Sequence, residues 1–186
     1  MNISATGNFL CLGYSTAVVS LKQLTFHGSQ KKANAVSSQK EERMANVVIA
    51  NDHGAVELAG IFVKHLQDRG YTVNHLGVTT NDSVDYPDMA KLACQEYKKG
   101  DYEFGVLLCG TGIGISISAN KIEGIRCALP QNSFAAEMAR KHNNVNFIAF
   151  GGRIEYSENT IEMLDAFIDS TFEGDRHQRR IDKIMA

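Results

Sequence analysis

A cysteine followed at once by three alternating glycines, Cys109-Gly110-Thr111-Gly112-Ile113-Gly114, is the most chemically loaded stretch of this sequence. The apolar run Val106-Leu107-Leu108 ahead of it reads as a buried parallel strand. Gly110, Gly112 and Gly114 let the backbone turn tightly and bring its N–H groups against a ligand. Residues from Ile115 to Lys121 can start a helix whose positive end points at the same spot. A thiol is thereby set beside a nest of amide donors. That suits chemistry in which a proton leaves carbon while negative charge gathers on a nearby oxygen. The plain alternative is a buried, inert cysteine, and the adjoining glycine run is what argues against it.

Three further groups carry chemistry. Asp52-His53 forms an acid–imidazole pair at the end of a predicted strand; Asp is also a good helix N-cap, and the two roles are compatible. His142-Asn143-Asn144 closes a predicted helix, where His and Asn either satisfy the last carbonyls or act on a substrate. Arg176, His177, Arg179 and Arg180 make a basic cluster in the tail, with Arg176 and Arg180 on one helix face. Arginine forks suit a phosphate dianion, although a solvated charged helix end would look the same. Arg153, just past Gly151-Gly152, is another candidate anion contact.

Two other uses of a strand-end cysteine or glycine loop fail on spacing. A cysteine-phosphatase loop needs an Arg about six residues on, where this chain has Ile115. A dinucleotide fold needs Gly-x-Gly-x-x-Gly after the first strand and an acid about twenty residues later. Here the spacing is Gly110-x-Gly112-x-Gly114, the strand is the third, and the later region reads Leu129-Pro130-Gln131.

The elements that must position these groups alternate in type. Strands are predicted at Val47–Ala50, Tyr71–Leu76, Val106–Leu108, Arg126–Leu129 and Asn146–Phe150. Between them lie helices from Ala55 to Arg69, stopped by Gly70, from Pro87 to Lys99, and from Ser133 to Lys141. Ser157 is expected to cap a helix running to about Thr171, and the tail from Asp175 is helix-compatible. This pattern predicts an α/β fold, a three-layer, doubly wound (Rossmann-like) sheet of five parallel strands with helices on both faces. In such sheets ligands bind beyond the carboxyl ends of the strands, which suits Asp52, His53 and Cys109 but does not by itself bring in His142 and Asn143.

Composition bounds the rest. The 186 residues are 44% hydrophobic, enough for one ordinary core, and the formal net charge of −2 offers no basic field for nucleic acid. No apolar run is long enough to span a membrane. Cys11, Cys94, Cys109 and Cys127 are widely spaced, without the clustering a zinc site needs, and read as free thiols of a reducing compartment. Residues 1–43 are Ser-rich, lack an acid before Glu41, and carry a charge of about +3, leaving about −5 for the remainder. They are expected to be a leader or disordered extension ahead of a domain over residues 44–186. A cytoplasmic location follows, with organellar targeting by residues 1–43 as the alternative.

The blocks Asp52-His53-Gly54, Ser83-Val84-Asp85-Tyr86-Pro87, Cys109 to Ser116, Ala119-Asn120-Lys121, Arg126, His142 to Asn146, Phe150-Gly151-Gly152-Arg153, and Arg176-His177 with Arg180 occur in this order. Together they resemble the ribose-5-phosphate isomerase B family, related to the galactose-6-phosphate isomerase subunits. The resemblance covers nearly all of residues 44–186 and none of the leader. It implies reversible interconversion of ribose 5-phosphate and ribulose 5-phosphate, without cofactor or metal. It also implies a homodimer, with a tetramer as the alternative, whose C-terminal helix reaches the partner subunit at a shared site. By the same resemblance Cys109 is the base moving the proton between C1 and C2, and the amides of Gly110 to Gly114 with Thr111 and Ile113 hold the charged oxygens. His142 opens the furanose ring with support from Asp52 and Asn143. His53, Arg153, Arg176 and Arg180 grip the phosphate, and Tyr86 lines the sugar pocket. Six-carbon substrates such as allose 6-phosphate or galactose 6-phosphate, a thiol-dependent hydrolase and a sugar-phosphate binding protein are the competing expectations.

Overall fold

A computed structural model describes residues 45–186, so the expected leader over residues 1–43 lies outside the described residues. Five strands form one parallel sheet: β1 (Asn46–Asn51), β2 (Thr72–His75), β3 (Tyr102–Cys109), β4 (Cys127–Ala128) and β5 (Phe147–Gly151). Their spatial order is β2-β1-β3-β5-β4. The helices are α1 (Val56–Asp68), α2 (Tyr86–Tyr97), α3 (Ile113–Asn120), α4 (Ser133–Asn143), α5 (Thr160–Ile168) and α6 (Arg176–Met185). The predicted fold class is the one observed.

Alternation along the central strands builds two cores. Val47, Ile49, Val106 and Leu108 face α1, α4 and α5, while Val48, Ala50, Leu107 and Cys109 face α2 and α3. Both faces are covered, which is why the strands read as continuous apolar runs rather than as alternating ones. On the first face Phe62 meets Phe150 and Phe104 meets Phe167 edge-on, at centroid distances of 5.1 Å and 5.5 Å. Each such pair adds about 1 kcal/mol beyond its buried area.

Several boundaries differ from expectation: β3 starts four residues earlier, at Tyr102, and α5 ends at Ile168. Edge strand β4 pairs with its neighbour only at Cys127 and Ala128, not over residues 126–129, because Arg126 N–H donates instead to Asn146 Oδ1 (2.8 Å) and Pro130 lies just beyond. Helix α5 is capped by Asn159, whose Oδ1 accepts from Ile161 N–H at 2.8 Å, and not by Ser157. Glu158 instead reaches Ser133 N–H at the start of α4. Helix α3 begins at Ile113, directly after the left-handed Gly112, two residues earlier than expected.

The chain steps from β1 to β2 on one side and then crosses back past β1 to β3 on the other. The crevice beyond the carboxyl ends of β1 and β3 is therefore the topological switch point.

Candidate active site

Asp52 and Cys109 meet at that switch point. Asp52 N–H donates to Leu108 O (3.0 Å), and Asp52 Oδ1 accepts from Gly54 N–H (2.7 Å), capping a single 3-10 turn that leads into α1. The turn lies directly on the glycine loop. A Cβ on Gly54 would stand 2.8 Å from Gly110 N, so only glycine permits the approach.

Cys109 ends β3 and is 4% exposed. Gly112 N–H donates to Cys109 Sγ at 3.1 Å, which is possible because Gly112 adopts φ 75° and folds α3 back over the sulfur. The start of α3 thus presents a backbone donor and the positive end of a helix to the sulfur. The other described cysteines differ. Burial pushes the Cys94 thiol up to about 12 and raises that of Cys127 also, and neither receives a backbone N–H on sulfur. The loop is held on its other side by Gly152 N–H to Cys109 O (2.8 Å) and Arg153 N–H to Gly110 O (2.9 Å).

The remaining candidates at this edge surround the loop. Thr111 and Ile113 are exposed at its tip, and Thr111 Oγ1 accepts from Ile113 N–H at 3.3 Å. The ring of Tyr86 lies over Gly114, where a Cβ would stand 2.5 Å from Tyr86 Cζ. His53 Nδ1 accepts from Val84 N–H at 3.2 Å, leaving Nε2 with the proton and free to donate. His53, Arg153, Asn81 and the turn entering α1 line a cavity of about 330 Å³. His53, Arg153 and Asn81, with the start of α1, offer donors to an anion there, and the acidic Glu57 also lines the cavity.

His142 and Asn143 lie elsewhere. Helix α4 returns the chain to the amino edge of the sheet. Its end is fixed there by Arg126, whose guanidinium donates to Asn143 O (3.0 Å) and Asn144 O (2.5 Å). Cys109 pairs in register with Gly151, at the far end of β5 from Phe147. Four residues of strand, about 13 Å, therefore separate the two edges before the turn back to His142 is counted. Helix α6 packs on α4 through the buried His177 and Ile181, and it leaves Arg176 and Arg180 exposed beside His142's end of the molecule. The chain thus gathers Asp52, His53, Tyr86, Cys109, Gly110 to Gly114 and Arg153 at one edge. It gathers His142, Asn143, Arg176 and Arg180 at the other.

Several polar groups of these edges escaped the sequence reading. Asn51, fully buried, donates through Nδ2 to Asp52 O and Val78 O (2.9 Å each) and accepts from His75 Nε2 (2.6 Å), tying the ends of β1 and β2 together. Burial lowers the His75 pKa, consistent with a neutral ring donating to Asn51. Tyr156 OH accepts from Gly151 N–H (2.9 Å) behind the glycine loop. Glu173 stands beside His142, and only its spacing of four residues from His177 could have flagged it.

Comparison with known proteins identifies the family. The family model described as Ribose/Galactose Isomerase matches residues 47–184. A Mycoplasma genitalium protein named probable ribose-5-phosphate isomerase B is 40% identical over 142 residues, 75% of this chain and 93% of that protein. The crystal structure of a Thermotoga maritima ribose 5-phosphate isomerase is 42% identical, covering 75% of this chain and 97% of the other, with a TM-score of 0.72. A Mycoplasma genitalium ribose-5-phosphate isomerase B solved with bound ribulose-5-phosphate is 39% identical over 75% of this chain and 93% of its own, with a TM-score of 0.71. A match over nearly the whole described region, at this identity and with the same fold, has one meaning: the chain belongs to the ribose/galactose isomerase family.

Proposed function

We propose that this chain is an aldose–ketose isomerase that interconverts ribose 5-phosphate and ribulose 5-phosphate through an enediolate. The observation that carries the reading is the Cys109 sulfur under Gly112 N–H at 3.1 Å, with a cavity lined by His53 and Arg153 at the turn that packs on the same loop. A proton alpha to a carbonyl is weakly acidic, so base and charge stabiliser must act together. Cys109 takes the proton from C2 of the open-chain aldose and returns it to C1. The amides from Gly110 to Gly114, with Thr111, hold the oxygens that become negative, and Ile113 and Tyr86 shape the space for the sugar. His53 and Arg153 bind the phosphate. The relative solved with ribulose-5-phosphate supports the substrate class.

His142, Asn143, Arg176 and Arg180 serve the same chemistry from a second copy of the chain. The separation of the two edges supports a homodimer with shared sites, in which α6 reaches toward the partner. So does the exposed apolar face of α3, where Ile113 and Ile117 stand one turn apart at 54% and 55% exposure. In that arrangement His142 protonates the ring oxygen during opening, Asp52 takes the proton of the C1 hydroxyl, and Arg176 and Arg180 complete the phosphate grip. Among the described residues no helix is long and apolar enough to cross a membrane, and three cysteines are free, which supports action in the cytoplasm.

A coupled assay with ribose 5-phosphate, and allose 6-phosphate and galactose 6-phosphate alongside, tests both class and substrate. The expected result is turnover of the pentose with solvent hydrogen entering at C1 of the ketose, and at C2 of the aldose on reversal, and no solvent oxygen in product. Cys109→Ala should fold normally and lose roughly 10²–10⁴-fold in kcat. Full activity in that variant would remove Cys109 as the base. A covalent intermediate with solvent oxygen in product would mark a hydrolase, and binding without turnover in the unmutated chain would mark a sugar-phosphate binder.

A further inference from the structure

Glu173 and His177 have no place in the chemistry described so far, yet they enclose a residue that does. The His142 and His177 rings are stacked, with centroids 4.2 Å apart and planes 8° from parallel. Both Nε2 atoms face one carboxylate oxygen, Glu173 Oε2, at 3.8 Å from His142 and 3.6 Å from His177. These separations are too long for hydrogen bonds and short enough for charge attraction. His177 is 4% exposed, and its Nε2 is buried with no hydrogen-bond partner. Backbone bonds fix the arrangement: Glu173 N–H donates to Lys141 O (3.0 Å), next to His142, and His177 N–H donates to Gly174 O (2.9 Å).

The three side chains lie close enough to suggest a metal site. However, an ion shared by two imidazoles must lie in both ring planes, and parallel stacked planes do not intersect. The arrangement makes sense instead as a device that decides which ring carries a proton. One carboxylate can neutralise one positive charge, and two stacked imidazolium ions would repel. His177 is the unfavourable carrier: burial lowers its pKa, and His142, Arg176 and Arg180 push the same way against Glu173. His142, with 36% of its side chain exposed, keeps contact with water when charged. The other charges near it are engaged: Lys141 pairs with Glu137, and Arg126 binds the carbonyls that end α4.

We infer that Glu173 and His177 are positioning residues for His142, His177 as the neutral platform on which its ring stacks and Glu173 as the counter-charge that keeps it in the acid form. The inference rests on the isomerase reading above. In ring opening, His142 delivers its proton to the ring oxygen as the bond from C1 to that oxygen breaks, and the bonding pair stays on the oxygen. The C1 hydroxyl gives its proton to Asp52 and becomes the aldehyde. One proton is delivered and one removed. Glu173 acts only through His142.

The test compares full-length unmutated chain, Glu173→Gln, His177→Phe and His142→Gln. Each is assayed for ribose 5-phosphate turnover across the range in which histidine and cysteine titrate, and His142 is titrated in parallel by ¹⁵N NMR. The basic limb of the kcat/KM profile reports the group that must stay protonated. Glu173→Gln removes a charge that stabilises imidazolium, so the limb and the His142 titration should both move to lower pH by about one unit. Activity then falls roughly tenfold above the limb and hardly at all below it. His177→Phe keeps a stacking ring without the nitrogens and should leave the limb in place or move it up. Equal loss of activity at every pH in Glu173→Gln, with His142 titrating as before, would mean a purely structural role and overturn the inference. Full activity in His142→Gln, or no isomerase activity in the unmutated chain, would overturn the reading of the reaction instead. The NMR titration would still decide whether Glu173 controls the protonation of His142.

Discussion

The two edges of this sheet are built from different materials. At the carboxyl edge the chemistry is largely main chain: Gly112 N–H on the Cys109 sulfur, the turn from Asp52 to Gly54 pressed on Gly110, and strand bonds fixing the loop from both sides. At the amino edge it is side chain: His142, Asn143, Arg176 and Arg180 project from the ends of two helices, and both arginines are exposed. A main-chain nest is fixed by the fold and needs no reorganisation when charge develops. Long cationic side chains are free until a ligand or a second copy orders them, and that ordering costs conformational entropy. On the proposed reading, the difference teaches that one chain carries a finished base and an unfinished acid and phosphate clamp.

The largest effect that can break this comparison comes from mixing inactive variants. Cys109→Ala and His142→Gln should each lose orders of magnitude in turnover. If each site draws one edge from each copy, random reassortment makes half the dimers mixed, each with one intact site, and restores about a quarter of full activity. No recovery after reassortment, verified by tagged co-purification, would place both edges in service of one chain. Next in size is Gly112→Ala. Its φ of 75° disfavours any side chain, and a Cβ would stand 2.5 Å from Leu129 Cδ1 and 2.9 Å from Phe150 C. A loss of roughly 2–4 kcal/mol in stability is expected, read by denaturant melts, together with loss of the Cys109 contact. Stability within error of the unmutated chain would show that the loop is softer than its backbone implies. The smallest effects sharpen the contrast in phosphate binding. Arg153→Ala and Arg180→Ala should each raise KM about tenfold or more with little change in kcat. In sugars without the phosphate, neither change should matter.

Much of this organisation was legible in the residues. Helix stops such as Gly70, the start of α2 at Asp85-Tyr86-Pro87, and the apolar runs of β1, β3 and β5 are local signals, and the structure has them where the spacing put them. The cap of α5 was misread because Ser157 and Asn159 are both good capping residues, and Glu158 was drawn off to Ser133. Only the packing of α4 beside α5 chose between them. The short β4 was misjudged for a similar reason, since Arg126 found a side-chain acceptor in Asn146 rather than a strand partner.

Sequence alone determined the type of each element, the two-faced sheet and the chemical character of Cys109 with its glycines. Those properties follow from near neighbours along the chain, through period, φ preference and side-chain size. Tertiary structure decided the strand order that makes a crevice between β1 and β3, and the separation of His142 from Cys109 across the sheet. It also decided the meeting of His142, Glu173 and His177 around one carboxylate oxygen. These depend on which helix packs on which face, a choice made by the whole core and written in no single stretch of residues.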